Sequence, residues 1–234
     1  MPKSLTIATW NLERPKLRGW KKNPIICQQL DEIDADIWIL TETNSAINPG
    51  TCYSEIATSP ISEYHNSGEN CSTIWSRYPI GRTFPTFDPS IAVCAEILLP
   101  LGLFLVYGTI ITWANDKGPT GKSKKWQEHY KSIESHAQDW AKLNQGLPFC
   151  VAGDFNQTLS GLSGYGTHQG RNMLSEALQK NNLVCVTDKI QFNIDHICLS
   201  KDWAKRVNQV NTWQGFTPEG KPISDHQGVY VDLF

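Results

Sequence analysis

The 234-residue sequence has no apolar run approaching ~18 residues, so no membrane-spanning helix is expected. It has no C-x-x-C pair, and its seven cysteines are an odd number, which argues against a full disulfide framework. Cys94, Cys150, Cys185 and Cys198 lie inside apolar, strand-like runs. They read as buried, reduced thiols of a cytoplasmic protein, with a Cys52–Cys71 bridge as the alternative. There is no H-E-x-x-H and no cysteine ligand set, which removes the usual zinc sites. No repeat or low-complexity linker breaks the chain. Neither sign of charge dominates: the net charge of −2 exerts no global pull on nucleic acid, so any such attraction must be local. Met1, Pro2, Lys3 and Ser4 run straight into the strand-like LTIATW, so no signal-peptide core is expected. A hydrophobic content of 40% suits an ordinary globular chain, and one domain over residues 1–234 is expected.

What is present is mostly strand. DIWIL and FCVAG are short apolar runs, AVCAEILL and LFLVYGTII flank a Pro100-Leu101-Gly102 turn, and VYVDL alternates with period two. Three helices are expected. NPIICQQLDEI has Asn23 as cap and Pro24 at the first helical position. Residues 122–145 carry Trp126, Tyr130, Ile133, Ala137 and Trp140 at helical spacing, and RNMLSEALQKN follows a glycine-rich loop. About nine strands with only three helices fit a doubly wound parallel sheet poorly. Two packed, mixed or mainly antiparallel sheets with helices outside, an α/β sandwich, fit better.

The strand ends carry polar atoms. Asn11 follows TIATW, Glu42 follows IWILT, Asp154 and Asn156 follow FCVAG, Asp195 and His196 begin DHICLS, and Asp225 and His226 open the last strand. One such residue is a cap or a turn; five sets imply a shared pocket at the rim of the sheets. Carboxylates and amides are oxygen ligands and suit a hard cation, Mg²⁺ or Mn²⁺. An Asp–His pair beside such a metal suits phosphate-ester hydrolysis. A carboxylate activates water while amide and imidazole donors bind the charged oxygens.

In order, TWNLE, LTET, GDFN, IDHI and SDH make the chain resemble the endonuclease/exonuclease/phosphatase superfamily over nearly its whole length. The resemblance implies a four-layered α/β sandwich and a metal-dependent phosphoester hydrolase. Asn11, Glu42 and Asp225 resemble metal-site residues, with Glu42 the main ligand and Glu13 near metal-bound water. Asp154 resembles the residue that activates water, and Asn156 the one that holds phosphate. His226 resembles the phosphate-contacting histidine, with Asp195 as its buried partner. There are departures. Where nuclease relatives place a Tyr or His after the hairpin, this chain offers Thr109, and the Asn beyond it is replaced by Thr112 or Trp113. The inositol-phosphatase PAWCDR-type signature is absent.

Other residues have plainer readings. His196 lies one position from Asp195, so on a strand it points to the opposite face and reads as structural. His65, His129, His136 and His168 read as surface or loop residues, His168 on a glycine-rich loop that could border the site. Gly121, Lys122 and Ser123 imitate a P-loop, but Asp116 stands where its first glycine belongs. Lys122 and Lys124, with Lys117 and Lys125, instead form a basic loop beside Trp113 and Trp126. Arg14, Lys16, Arg18, Lys21 and Lys22 surround Trp20 in a second. Both favour a polyanionic substrate, with two solvated loops as the alternative, and Trp213 is a candidate either to stack on a base or sugar or to pack in the core. The expectation is a monomer that cleaves nucleic acid, with a small phosphorylated metabolite or lipid headgroup as the alternative substrate and a catalytically silent binding module on the same scaffold as the third reading.

Overall fold

The computed structural model describes residues 4–61, 63–144, 146–161 and 163–234. Two six-stranded sheets face each other. The first comprises β1 (Leu5–Asn11), β2 (Ile37–Asn44), β3 (Ser54–Ala57), β4 (Glu69–Ser76), β11 (Val207–Trp213) and β12 (Gly228–Leu233), in the order β11-β12-β1-β2-β4-β3. The second holds β5 (Ile80–Phe84), β6 (Ala92–Leu99), β7 (Gly102–Ile110), β8 (Phe149–Asp154), β9 (Leu183–Cys185) and β10 (Asp195–Ser200), in the order β5-β6-β7-β8-β10-β9. Each sheet has one parallel pair, β1 with β2 and β7 with β8, and is otherwise antiparallel. A helix bridges each parallel pair, because parallel neighbours need a crossover: α1 (Lys22–Ile33) in the first sheet and α2 (Gln127–Leu143) in the second. The others are α3 (His168–Lys180) and the single turn α4 (Lys201–Ala204).

The apolar runs are explained by burial on both faces. From β1, Ile7 packs between the sheets with Ile39, Val106, Ala152 and Val231. Its neighbours Ala8 and Trp10 point the other way, onto Ile26 and Leu30 of α1. In β8, Cys150 and Ala152 face the inter-sheet core while Phe149 and Val151 meet Ile133 and Trp140 of α2 and Leu174 of α3. The result is four layers, helix, sheet, sheet, helix, as expected. Among the described residues no helix is long and apolar enough to cross a membrane.

The differences from expectation are local. The short, half-exposed strands β3 and β5 carry no apolar alternation and are additional, as is α4. Helix α1 starts at Lys22, so Asn23 lies inside it, and the Asn23 amide donates to the Lys16 carbonyl at 2.9 Å instead of capping. Helix α2 starts at Gln127, five residues later than expected, and the expected last residue Gln145 lies outside the described residues, as do Met1, Pro2 and Lys3. The imitation P-loop therefore has no helix N-terminus to offer a phosphate at Gly121 or Lys122. Helix α3 starts three residues earlier than expected, where the Thr167 hydroxyl accepts the Gly170 N–H at 2.9 Å. All seven cysteines are free, so Cys52 and Cys71 are not bridged, and Cys185 is only partly buried.

Gly153 fixes how closely β7 and β8 approach. Its φ is +134°, and a Cβ there would lie 1.9 Å from the Thr109 carbonyl oxygen, a backbone atom that cannot swing aside. Gly153→Ala is expected to destabilise the protein by about 3 kcal/mol. An unchanged denaturation midpoint would show that this approach does not need glycine.

Candidate active site

The functional side chains gather where the carboxyl ends of the parallel strands meet. Asn11 ends β1 and Asp154 ends β8, and the Asn11 amide donates to Asp154 Oδ2 at 3.1 Å, joining the two sheets. Asn156 turns back on the same carboxylate. Its backbone N–H donates to Asp154 Oδ1 at 2.8 Å, and its amide donates to Asp154 Oδ2 at 3.1 Å and to the Ile111 carbonyl at 3.0 Å. Asp195 stands directly opposite Asp154 in the β8–β10 register. Both carboxylates are 1% exposed.

His226 reaches this pair from the turn before β12. The Ser224 hydroxyl donates to the Asn11 carbonyl at 2.7 Å and accepts the His226 N–H at 3.1 Å, while the Trp10 indole donates to the His226 carbonyl at 3.1 Å. The imidazole is thereby held with Nδ1 donating to Asp195 Oδ2 at 2.6 Å and Nε2 3.7 Å from Asp225 Oδ1. Burial opposes charge on the ring, but the carboxylates of Asp195, Asp154 and Asp225 outweigh it and raise its pKa to about 10. His226 is an imidazolium at neutral pH. Asp154 moves the other way from an ordinary carboxyl. Burial, then the charge of Asp195, push it up to about 7, against the pull of His226 and the Asn156 N–H.

Glu42 reaches the same cleft from β2 through a strained backbone. The ladder pairs Thr41 with Ser72 and Thr43 with Asn70, and Glu42 between them has φ +44°. Glu13, Arg14 and Asn156 are also left-handed, at φ +53°, +50° and +47°. Such conformations cost ~1 kcal/mol or more per residue, and Arg14, Glu42 and Asn156 hold theirs along the cleft, where backbone strain is commonly kept for function. Burial raises the Glu42 pKa, moderated by the Asn11 amide and the His226 charge. No ion pair among the described residues involves Glu42. A partly buried carboxylate outside any of those ion pairs, with the Asn11 amide and the Asp225 carboxylate close by, could hold a hard divalent cation. Asp154, Asp195 and His226 also offer ligand atoms within 4.8 Å of one another, but the imidazolium already supplies positive charge there. Glu42 could hold the cation beside that charged group.

The cleft has a volume of about 740 Å³. Glu42, Asp154, Asn156, Asp225 and His226 line it, with Asn11 and Asp195 bonded to them from beneath. Glu13 is exposed and paired with Lys22 at 3.3 Å. Four expected contacts are elsewhere. Thr109 is fully buried on the other face of β7, its hydroxyl 3.2 Å from His136 Nε2, and it is Ile110 that faces the cleft. Lys122 and Lys124 are exposed on their loop and do not line the cleft. Trp213 packs edge-on against Trp10 and Trp38, its ring so close to Gly228 that a Cβ there would sit 2.2 Å away. It packs, partly buried, against the core and does not line the cleft.

Among the histidines, one follows expectation and two depart from it. His196 is structural, as its strand position implied: Nε2 donates to the Gln157 carbonyl at 3.0 Å and Nδ1 lies 3.1 Å from the Thr187 hydroxyl. His129 and His136 are fully buried rather than on the surface. His168 is exposed at the start of α3 and does not line the cleft. His65 does, its Nε2 3.5 Å from Cys71 Sγ. Tyr165, from the glycine-rich loop, lines it too. Neither has a sequence signal beyond its loop position.

Comparison with known proteins agrees with this arrangement. The family model described as Endonuclease/Exonuclease/phosphatase family matches residues 8–226. Among solved structures, the chain is similar to an AP endonuclease from Archaeoglobus fulgidus, with 17% identity, 98% of this chain and 99% of that one covered, and a TM-score of 0.71. It is similar to the 3' phosphatase NExo from Neisseria, bound to product DNA hairpin, with 14% identity, 98% and 99% covered, and a TM-score of 0.73. A humanized D. rerio TDP2 matches with 15% identity, 99% of each chain covered and a TM-score of 0.71. At these identities the likeness is one of fold. No curated protein matches the sequence.

His136 gives a pH-dependent prediction away from the cleft. Burial lowers its pKa to about 3, so the folded protein keeps it neutral. Below its unfolded pKa of ~6.5 only the unfolded chain takes up the proton, and stability falls as pH drops towards 3. Relative to His136→Gln, the wild type should lose on the order of 1 kcal/mol between pH 7 and 5.5. A stability difference constant with pH, read from denaturant midpoints, would contradict the buried neutral ring.

Proposed function

The chain belongs to the endonuclease/exonuclease/phosphatase family, whose reaction is divalent-metal-dependent hydrolysis of phosphoester bonds, and from this we propose that it is a phosphodiesterase acting on DNA or RNA. The observation that carries the reading is the convergence of Glu42, Asp154 and His226 on one cleft, with Asp195 fixing the imidazole from below. Held by Glu42 with Asn11 and Asp225, a Mg²⁺ or Mn²⁺ ion would supply positive charge to a phosphoryl oxygen. The rest follows from the protein's own groups. The His226 imidazolium faces the cleft through Nε2 and donates to a second phosphoryl oxygen, so developing negative charge is met by a fixed positive one. Asp154, with its pKa near neutrality, takes the proton from the attacking water. Both amide hydrogens of Asn156 are engaged, so this residue orients Asp154 and its contact with phosphate is secondary. Asn11 orients the same carboxylate from the other sheet.

The surface supports a polyanion. Trp20 is 76% exposed with Lys21 4.9 Å from its ring centre, and Lys16 and Arg18 are exposed beside it. Trp113 is 52% exposed at the cleft edge, near the basic loop that holds Lys122 and Lys124. These are the elements of a salt-dependent single-strand path, aromatic faces between cations. One observation favours a second substrate class, a small phosphorylated metabolite or lipid headgroup. Ile91, Ile110 and Ile194 give the cleft an apolar side, and β7 supplies no phosphate-facing Tyr or His.

Purified protein with Mg²⁺ or Mn²⁺ is expected to cut DNA or RNA, with activity that falls as salt rises. Phosphate release from small esters without nucleic-acid cleavage would move the assignment to the second class. Asp154→Asn and His226→Ala should each lower kcat by ~10²- to 10⁴-fold in folded protein. Glu42→Gln should weaken Mn²⁺ binding at least ~10-fold in calorimetry, and unchanged binding would place the ion elsewhere.

A further inference from the structure

The end of β7 has no phosphate donor: Thr109 is committed to His136, and Ile110 stands at the cleft. A tyrosine nevertheless lines the cleft from another part of the chain. Tyr165 belongs to the loop after β8 and is held at several points. Its carbonyl accepts the Thr158 N–H at 2.7 Å, and its hydroxyl oxygen accepts the Ala114 N–H at 3.2 Å. Its ring packs edge-to-face with Trp126, the ring centres 5.3 Å apart. The flanking Gly164 and Gly166 have φ +121° and +115°, where Cβ atoms would run into the Thr158 and Gln157 side chains at 2.5 and 2.3 Å.

This geometry leaves one group unused. The Tyr165 oxygen is occupied as an acceptor, but the hydroxyl hydrogen has no acceptor among the described residues. The ring is 38% exposed and lines the same cleft as Asp154, Asn156 and His226. Burial, against the Ala114 N–H, and the nearby Asp154 charge raise its pKa, so the phenol keeps its proton at neutral pH. A fixed neutral donor facing an anion-binding cleft is suited to a phosphoryl oxygen. We propose that Tyr165 is a catalytic residue whose hydroxyl donates a hydrogen bond to a non-bridging phosphoryl oxygen, replacing the donor that β7 lacks. The bond strengthens as charge builds on that oxygen, and no proton is transferred. The proposal rests on the phosphoester-hydrolase reading but not on the choice of nucleic acid as substrate.

The test compares Tyr165→Phe with two controls. Trp126→Phe loosens the same loop but keeps the phenol, and Thr112→Val removes the other hydroxyl-bearing residue at this edge of the cleft. Inorganic phosphate binding in the presence of Mn²⁺ is measured by calorimetry, and kcat and KM on whichever phosphoester the wild type cleaves. Tyr165→Phe should weaken phosphate binding or lower kcat by roughly 10- to 100-fold with its denaturation midpoint little changed. Trp126→Phe should lower the midpoint while leaving phosphate affinity near wild type. Equal phosphate affinity and kcat in Tyr165→Phe and wild type would overturn the proposal. So would equal losses in Tyr165→Phe and Trp126→Phe, a loss confined to Thr112→Val, or no phosphate binding by the wild type. Tyr165-dependent phosphate binding without cleavage of DNA or RNA would sink the nucleic-acid reading and leave Tyr165 in place.

Discussion

Asp154 and Asp195 stand opposite each other on paired strands, both almost fully buried. Two like charges at that spacing, out of water, are tolerated only with positive charge brought to them. The turn before β12 brings it. His226 closes on Asp195 at 2.6 Å, and the two acids keep its ring charged. The carboxylates lie in the second sheet and the imidazole is delivered by the first. The site therefore exists only when the sheets are packed face to face. The Asn11 amide bond to Asp154 is a second tie across the same boundary.

The two parallel pairs explain why the site lies at this rim. In each sheet a crossover helix leads from one strand to its parallel neighbour, so both strands of the pair end on the same side. Polar residues there escape the inter-sheet core and meet in a cleft, the usual position of ligand sites in α/β proteins. The left-handed backbone at Glu42 and Asn156, and the close approach at Gly153, are the local departures that turn side chains or strands into this arrangement. They are unfavourable for folding alone, which is why they are more informative than the regular strands around them.

Much of this was legible in the sequence. The double-faced apolar strands implied a sandwich. The ordered polar strand ends supplied Asn11, Glu42, Asp154, Asn156, Asp195, Asp225 and His226, which the fold brings together. What was not legible depended on facing and on loops. Thr109 and Ile110 are adjacent, and only the register of β7 decides which meets the cleft. Trp213 read equally as a stacking ring or a core one, and only the fold shows it closing over Gly228 against the core. The basic lysines lie on a loop whose path the sequence does not determine. His129 and His136 carry no sign of burial in themselves, since the tertiary partners that take them up, the Thr112 carbonyl for His129 and the Tyr107 and Thr109 hydroxyls for His136, are not visible in local sequence. Tyr165 is fixed by tertiary hydrogen bonds to Ala114 and Thr158, which no local pattern reveals.

The central claim is that one phosphate sits between a cation held by Glu42 and the imidazolium held by Asp195. The most direct measurement is a crystal structure with Mn²⁺ and a nucleotide, the ion located by its anomalous scattering. The account predicts an Mn²⁺ peak in contact with Glu42 and a phosphoryl oxygen within hydrogen-bond distance of His226 Nε2. A peak that avoids Glu42, or a phosphate bound away from His226 and Asp154, would contradict it.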